Sequence, residues 1–304
     1  MSMLSVGVTI ATHNRLNDLK RTLEALRNLA TPPDEIWICA DGCSDGSIEF
    51  VRTEYPDVQL IVNERAEGSI PSRNALASKC QCEILLSLDD DSYPVESDFV
   101  EKLRALFTDL PRLAVATFPQ RSDEFPETLG TTDFGPSTEV ASYVNSGAAI
   151  RRSVFHALGK YPGFFFHAYE EPDFALRCLA AGWQVRNETS LTIRHHYTSA
   201  QRNELRTHHR HSRNELWSVF LRCPLLALLP VAGFRIARQF GYALGRGFLW
   251  ALSEPLWWWE CIGGLPQCLK QRHAVSLMSY WKWMQLMRRP APADVWQSSP
   301  RSLV

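Results

Sequence analysis

The first half of the chain alternates short apolar runs with stretches of helical periodicity. The apolar runs are residues 6–12, 36–40, 58–62 and 84–88. They are rich in Ile, Val and Leu without alternating polarity, which is typical of strands buried on both faces of a sheet. Between the first two runs, leucines at positions 16, 19, 23 and 26 mark one face of a helix. This alternation predicts an α/β fold with a mixed, mostly parallel sheet and helices on both of its faces.

Polar residues stand at the ends of three of these runs. Thr12 ends the first run, Asp41 follows the second, and Asp89, Asp90 and Asp91 follow the fourth. The carboxyl ends of parallel strands meet at one edge, where ligands bind in open α/β sheets. Three adjacent carboxylates repel one another, and Mg²⁺ or Mn²⁺ bound to them and to substrate phosphates relieves that repulsion. The pattern favours a metal–diphosphate site over the alternative, a solvated turn that caps the next helix.

Further candidates follow along the chain. Arg73 follows the third run and is suited to phosphate recognition, although a surface arginine at a helix start is the simpler interpretation. Glu170 and Glu171 open a helix at residues 170–181, where acids also complement the helix dipole. Two neighbouring carboxylates disfavour double ionisation, which raises one pKa and suits a general base. His195 and His196 end a last candidate strand at residues 189–196, where a metal or phosphate contact is plausible.

Aromatic residues precede that acidic helix, and they fit either the wall of a sugar site or the core: Phe164, Phe165, Phe166 and Tyr169. The chain lacks the glycine-rich signatures of dinucleotide-binding and P-loop proteins and the GxSxG motif of serine hydrolases. Its eight cysteines include no CxxC pair, which favours reduced thiols in a cytoplasmic protein.

Five segments occur in the order and spacing of family 2 glycosyltransferases, and together they resemble that family closely. They read VGVTIATHNR at 6–15, DGCSDG at 41–46, RN at 73–74, LDDD at 88–91 and YEEPDFALR at 169–177. The resemblance covers about residues 4–200. The EEPD form, with Arg177 and Gly182 behind it, resembles bacterial members that build surface polysaccharides, including rhamnosyltransferases. It implies a GT-A fold and transfer with inversion at the anomeric carbon.

The resemblance also implies roles for individual residues. Thr12 and Asp41 would hold the nucleotide base, Arg73 the base or diphosphate, Asp89 the ribose, and Asp91 the Mg²⁺ or Mn²⁺. Glu171 would be the catalytic base, with Glu170 and Asp173 shaping the acceptor side. The expected donor-binding set also contains Asn14, Arg15, Asp90 and Gly147, and Asp89 and His196 are further candidate metal ligands.

Two departures from the family pattern matter for these roles. A single carboxylate, in Ala40-Asp41, replaces the usual acidic pair. The usual Asp of the base motif is Glu171 here, which leaves the choice between Glu170 and Glu171 open.

The last third of the chain differs from the rest in charge and in Trp content. Residues 1–200 hold 18 Lys+Arg against 28 Asp+Glu, whereas residues 201–304 hold 14 against 5, together with eight of the ten Trp. The longest uncharged run in this third, at 223–234, has twelve residues and two prolines, whereas spanning a bilayer takes about 20 apolar residues. We therefore expect a catalytic domain at 1–200, a helical region at 201–290 docked on an anionic membrane surface, and a disordered tail at 291–304. A plain helical subdomain is the alternative for 201–290.

The leading hypothesis is a metal-dependent, inverting enzyme at the cytoplasmic face of the cell membrane. It would move a sugar from a UDP- or dTDP-linked donor to a glycan or lipid-linked acceptor in surface polysaccharide synthesis. One alternative is a non-catalytic, glycosyltransferase-like binding partner, which the intact acidic motifs disfavour. A sugar nucleotidyltransferase is a further alternative, but it would need a glycine-rich basic loop near the N-terminus, and the sequence has none there. No motif indicates nucleic-acid binding.

Overall fold

The computed structural model describes residues 3–197 and 203–293. The strands are β1 (Val6–Thr12), β2 (Glu35–Asp41), β3 (Gln59–Asn63), β4 (Ile84–Asp89), β5 (Ser92–Pro94), β6 (Leu113–Thr117), β7 (Gln120–Ser122), β8 (Thr138–Glu139), β9 (Ala148–Arg151), β10 (Gln184–Asn187), β11 (Ile193–His195) and β12 (Ala291–Pro292). The helices are α1 (Leu16–Arg27), α2 (Ser47–Glu54), α3 (Ser69–Lys79), α4 (Phe99–Asp109), α5 (Arg152–Ala157), α6 (Glu170–Ala180), α7 (Glu204–Arg222), α8 (Leu225–Arg246), α9 (Phe248–Lys270) and α10 (Leu277–Arg288).

Within the described residues, one large mixed sheet has the order β12-β8-β10-β6-β9-β4-β1-β2-β3. The four strands predicted from the apolar runs lie side by side and parallel, with Val8 of β1 opposite Ile36 of β2 and Leu86 of β4. β9 runs antiparallel between β4 and β6. A small second sheet, β5-β11-β7, stands beside the carboxyl end of β4. The predicted α/β class and mixed sheet are confirmed.

The large sheet separates two apolar cores, because its strands are buried on both faces. On one face, Leu19 and Leu23 of α1 pack with Ile10 of β1 and with α4. On the other face, Ile70 of α3 and Phe174 of α6 belong to the second core. Fully burying one such side chain contributes about 1.5–3 kcal/mol. The two cores fix the strand ends, and therefore the polar residues that follow them.

The C-terminal helices share the second core with elements of the first 200 residues. Trp217 of α7 and Trp283 of α10 are buried in that core, and the Trp283 indole N–H donates to the Ala141 carbonyl at 2.9 Å. Beyond α10, β12 pairs with β8 at the edge of the large sheet. The disorder expected from residue 291 is therefore wrong for residues 291–293, because they are held against that edge. The expected tail at 294–304 and the boundary near residue 200 lie outside the described residues.

Large apolar side chains are exposed along α8, α9 and α10. Leu226 is 90% exposed, Leu249 79% and Met278 77%. Among residues 3–197 and 203–293, no helix has the length and apolarity needed to cross a bilayer. Where exposed apolar side chains form contiguous patches, they mark surfaces that contact another molecule.

Candidate active site at the strand ends

The first acidic residue after β4 is paired with a buried arginine. The Arg73 guanidinium contacts the Asp89 carboxylate and the Ser87 hydroxyl, and it donates to the Leu88 carbonyl at 3.4 Å. Burial alone would lower the pKa of Arg73, but the charges of Asp89 and Glu170 raise it overall. Arg73 therefore stays cationic at the rim, and its other neighbours are the acids that open α6.

Asp90 joins β1 to the acidic turn. Its carboxylate accepts from the Thr12 hydroxyl at 2.8 Å and pairs with Arg15 at 3.0 Å. Burial raises its pKa to about 8, opposed by Arg15 and reinforced by the charges of Asp91 and Asp89. Asp90 thus mainly holds Thr12 and Arg15 in place, although it also lines the cavity described below.

Asp89, Asp91 and His195 form a cluster whose potential ligand atoms all lie within 4.8 Å of one another. Asp91 Oδ1 and His195 Nε2 are 3.3 Å apart, and both are buried without a hydrogen-bond partner among the described residues. His195 Nδ1 lies 3.1 Å from Gln120 Oε1, and the Gln120 amide nitrogen donates to Ser146. With Nδ1 as the donor to Gln120, Nε2 would have a free lone pair for a cation, as in metal-binding histidines.

Two carboxylates and an imidazole fit Mn²⁺ or Mg²⁺ chemistry, and buried atoms without partners are rare unless they serve a ligand. Burial alone would raise the pKa of Asp91, but His195 and Arg15 bring it below its ordinary value, which keeps this carboxylate charged. The residues present therefore fit the expected cation.

His196, expected as a metal ligand, is turned elsewhere. Its ring lies 3.0 Å from the Tyr93 hydroxyl and 3.2 Å from Asp123. β11 ends at His195, which faces the acidic cluster, and the ring of the next residue, His196, points away from it. The expectation for His196 is corrected to His195.

Asp41 uses most of its hydrogen-bonding capacity inside the protein. Its carboxylate accepts from the Asn63 amide at 2.8 Å and from the backbone N–H groups of Glu67 at 2.9 Å and Gly68 at 2.8 Å. A carboxylate has about four acceptor positions, so about one remains for the base contact expected of Asp41. Its main observed effect is to hold the loop between β3 and α3.

Two of the expected donor-binding residues have structural roles instead. Asn14, with φ +53°, accepts from the Ser44 backbone N–H at 2.7 Å and so fixes the turn after β2. At Gly147, an added Cβ would come within 2.7 Å of Ile193 Cγ1, so glycine allows β11 to pack there. Neither residue lines the cavity.

A cavity of about 970 Å³ lies between these strand ends and the C-terminal helices. One wall includes Thr12, Arg15, Asp41, Asp89 and Asp90. The opposite wall comes from α7, α8 and α9: Glu204, Thr207, His208, His211, Arg238, Gln239, Tyr242, Arg246 and Trp250. Sequence reasoning missed this second wall, because more than 100 residues separate it from the four motifs that end at residue 91.

Glu170 and Glu171, expected near the reacting groups, lie in the first turn of α6. Glu170 is buried: its Oε1 accepts from the Asn145 amide at 3.2 Å, and its Oε2 has no partner within the described residues. Glu171 is partly exposed. Burial and the neighbouring Glu170 charge raise the pKa of Glu171 to about 8, with Arg73 opposing. Once it is ionised, a partly exposed carboxyl with a raised pKa is a stronger proton acceptor than an ordinary carboxylate.

Asp173, expected on the acceptor side, is fully buried and has no catalytic contact to offer. It pairs with Arg177 at 2.9 Å and Arg222 at 2.9 Å, and it accepts from the Ser218 hydroxyl at 3.0 Å. Burial would raise its pKa, but the two arginines lower it overall. Asp173 therefore ties α6 to α7, and its expected catalytic role is corrected to a structural one. The aromatics upstream are also largely core, since Phe165 and Tyr169 are buried.

A second cluster of potential ligands lies far from this rim, at the start of β2 and the end of α3: Glu35, Cys80 and Cys82. Burial raises the pKa of Cys80 to about 11 and that of Cys82 still higher. These pKa values describe the protein without a bound metal, and we assign no site there.

Comparison with known proteins agrees with this geometry. The model of glycosyl transferase family 2 matches residues 7–171. The O-antigen chain rhamnosyltransferase RfbN of Salmonella typhimurium is 23% identical, over 83% of this chain and 80% of RfbN.

Two solved structures show the same fold. GalNAc-T7, solved with UDP, GalNAc and Mn²⁺, aligns with a TM-score of 0.60 and 16% identity, over 74% of this chain and 49% of GalNAc-T7. The Pyrobaculum calidifontis mannosyltransferase PcManGT, solved with GDP-Man and Mn²⁺, aligns with a TM-score of 0.57 and 15% identity, over 98% of this chain and 89% of that one. The predicted GT-A fold is confirmed. Because the family model spans more than half of its length, this protein belongs to glycosyl transferase family 2.

Proposed function

We propose that this protein is a metal-dependent, inverting glycosyltransferase that moves a sugar from a nucleoside diphosphate donor to a hydroxyl of a glycan acceptor. The observation that carries the proposal is the Asp89, Asp91 and His195 cluster, with its two buried atoms that lack partners. Arg73 lies between that cluster and the carboxyl pair of α6. A non-catalytic binding partner would not need both groups on one rim.

The donor diphosphate would lie against Asp89, Asp91 and His195 with a bound Mn²⁺ or Mg²⁺. That ion, when bound, would neutralise charge on the diphosphate. Arg73 would add a fixed positive charge beside the leaving group, and it needs little reorganisation because Asp89 and Ser87 already hold its guanidinium. Thr12 and Asp41 would line the nucleotide side of the same cavity.

Glu171 would act as the general base. The acceptor hydroxyl gives its proton to the Glu171 carboxylate as its oxygen bonds to the anomeric carbon, and the bond from that carbon to the diphosphate oxygen breaks. A single displacement of this kind inverts the anomeric configuration. The raised pKa of about 8 makes Glu171 a stronger base than an ordinary carboxylate, once it is ionised.

The acceptor would enter along the wall formed by α7–α9. His208, Tyr242 and Trp250 form an aromatic group there, with ring centroids 5.2 Å apart for His208 and Tyr242 and 5.7 Å apart for His208 and Trp250. Aromatic faces beside hydrogen-bonding side chains such as Gln239 and Arg246 suit a sugar ring. Because RfbN is named as an O-antigen chain rhamnosyltransferase, we propose a growing surface polysaccharide as the acceptor class.

The exposed apolar residues of α8–α10 would dock on the inner face of the cell membrane, with the chain remaining peripheral. Residues 201–304 carry 14 Lys+Arg against 5 Asp+Glu, so this region would be attracted to anionic lipids. Membrane docking would place the cavity close to a lipid-linked acceptor.

A donor screen tests the proposed function. The purified chain is incubated with UDP-, dTDP- and GDP-linked sugars, with Mn²⁺ or Mg²⁺ or with EDTA, and released nucleoside diphosphate is measured. We expect turnover of at least one donor that EDTA abolishes. Turnover that EDTA leaves unchanged would refute the metal requirement, and absence of both turnover and nucleotide binding would refute the enzyme assignment.

A further inference from the structure

A polar stripe runs along one face of α7, inside the interface with α6. Asn214, Ser218 and Arg222 are four residues apart, so their side chains lie above one another on the helix. All three are buried. Buried polar and ionic groups stabilise a fold little more than apolar residues of the same size would. Their presence here indicates that a particular geometry is being held.

Asn214 holds the segment that leads into the acidic pair. Its side-chain amide nitrogen lies 3.1 Å from the Phe165 carbonyl, 2.8 Å from that of His167 and 2.8 Å from that of Ala168. The amide has two N–H groups, so the three carbonyl oxygens share them. One buried side chain thereby satisfies three backbone acceptors just before Glu170.

The backbone of this segment needs such support. Phe166, Ala168 and Tyr169 have φ values of +66°, +75° and +71°. Left-handed backbone costs residues other than glycine about 1–2 kcal/mol each. Residues in that state persist only where their surroundings hold them, and the Asn214 bonds provide part of that restraint.

The opposite side of the segment is restrained by α3. The Phe166 carbonyl accepts from the Ile70 backbone N–H at 3.2 Å. At Gly68, an added Cβ would come within 2.4 Å of the same carbonyl oxygen, so only glycine allows this approach. The segment is therefore clamped between α7 and the helix that carries Arg73.

The rest of the stripe holds the chain just after the acidic pair. Ser218 donates to Asp173 at 3.0 Å, and Arg222 pairs with the same carboxylate at 2.9 Å. Asp173 is only two residues beyond Glu171. The polar stripe of α7 thus holds the chain on both sides of the two glutamates, through backbone carbonyls before them and the Asp173 carboxylate after them.

We propose that Asn214 is a positioning residue that sets the placement of Glu170 and Glu171, and that α7 is in this way an integral part of the active site. This inference rests on the proposed function, in which one of these glutamates is the base. The Asn214 amide nitrogen donates to backbone carbonyls, and its amide oxygen accepts from Arg213 Nε at 3.1 Å. Because these contacts hold the segment before the glutamates, we expect the effect on the chemical step and not on nucleotide binding.

The test compares Asn214→Ala with a matched control, Ser212→Ala. Ser212 is buried on the same helix, and its hydroxyl has no hydrogen-bond partner among the described residues. We measure amide hydrogen exchange over residues 163–171, affinity for UDP, dTDP and GDP with Mn²⁺, and kcat with the donor found in the screen.

For Asn214→Ala we expect amide exchange over residues 163–171 to be about tenfold faster or more. We expect kcat to fall about tenfold or more, with nucleotide affinity within about twofold of wild type. The acid limb of the pH profile should move to lower pH, because a loosened segment admits water to Glu171. Ser212→Ala should match wild type in all of these measurements.

Unchanged amide exchange and unchanged kcat in Asn214→Ala would overturn the proposal. A loss of nucleotide affinity equal to the loss of kcat would also overturn it, because it would indicate that the whole site is loosened. If Asn214→Ala does not fold, Asn214→Ser keeps one short donor, and the same criteria apply to it. Exchange and nucleotide binding need no sugar transfer. A wild-type protein that neither turns over a donor nor binds a nucleotide would therefore refute the proposed function, while the exchange comparison still decides whether Asn214 restrains the segment.

Discussion

The raised pKa of Glu171 gives the sharpest test of the proposed base. A base works only when ionised, so a carboxyl with a pKa of about 8 limits the rate below that pH. The raised pKa leaves Glu171 increasingly protonated as the pH falls below about 8, so kcat/KM should fall steadily with pH in that range. An ordinary glutamate, with a pKa near 4.3, would give a flat profile across this range.

The assay is nucleoside diphosphate release from the active donor between pH 6 and 9, with saturating Mn²⁺. Glu171→Gln keeps the size of the side chain and removes its basicity, so we expect kcat to fall about 10²–10⁴-fold with donor affinity retained. Glu170→Gln removes the neighbouring charge that helps raise the pKa, so the acid limb should move to lower pH. An inactive Glu170→Gln beside an active Glu171→Gln would transfer the role to Glu170, and a flat wild-type profile would refute the reasoning.

Three further predictions concern other parts of the structure. Asp91→Ala and His195→Ala should abolish metal-dependent turnover. The His196 ring faces Tyr93 and Asp123, so His196→Ala should keep most of the turnover. Equal losses in the two histidine variants would contradict the ligand assignment. Asp173→Asn should lower the free energy of unfolding by about 3–5 kcal/mol, measured by urea titration, because it leaves two buried arginines poorly paired; an unchanged midpoint would show that the pairing is dispensable. The protein should float with anionic liposomes at low salt and less at high salt, and failure to float at low salt would leave α8–α10 as a plain helical subdomain.

The sheet could be read from the sequence where strands are buried on both faces. The run at 6–12 has the same bounds as β1, because its burial is continuous and leaves a continuous apolar pattern. The strand expected at 189–196 is only Ile193–His195, since its length is set by short partners far away in sequence, β5 and β7. For the same reason the register of β11, which decides between His195 and His196, had no local signal. Helix α3 begins at Ser69, and its first turn tolerates Pro71.

The acidic residues of the site could be predicted because each follows a strand end, whereas their partners could not. Asp173 and Arg177 are spaced for a helical ion pair in the sequence, but Arg222, which completes the pairing, is 49 residues from Asp173. Asn214 looks like any polar residue of a helix until its three carbonyl partners are seen. The second wall of the cavity likewise depends on how α7–α9 pack, which no local pattern encodes.

The pairing of β12 with β8 limits self-association of the protein through the edge of its large sheet. An unpaired edge strand offers its N–H and C=O groups to any other chain, and that is a common route to aggregation. β12 covers β8, and its second residue, Pro292, has no N–H with which to extend the sheet further. A chain shortened to end after α10 would lose this cover. We expect such a chain to elute from a sizing column as concentration-dependent oligomers, even though every residue of the proposed active site is still present.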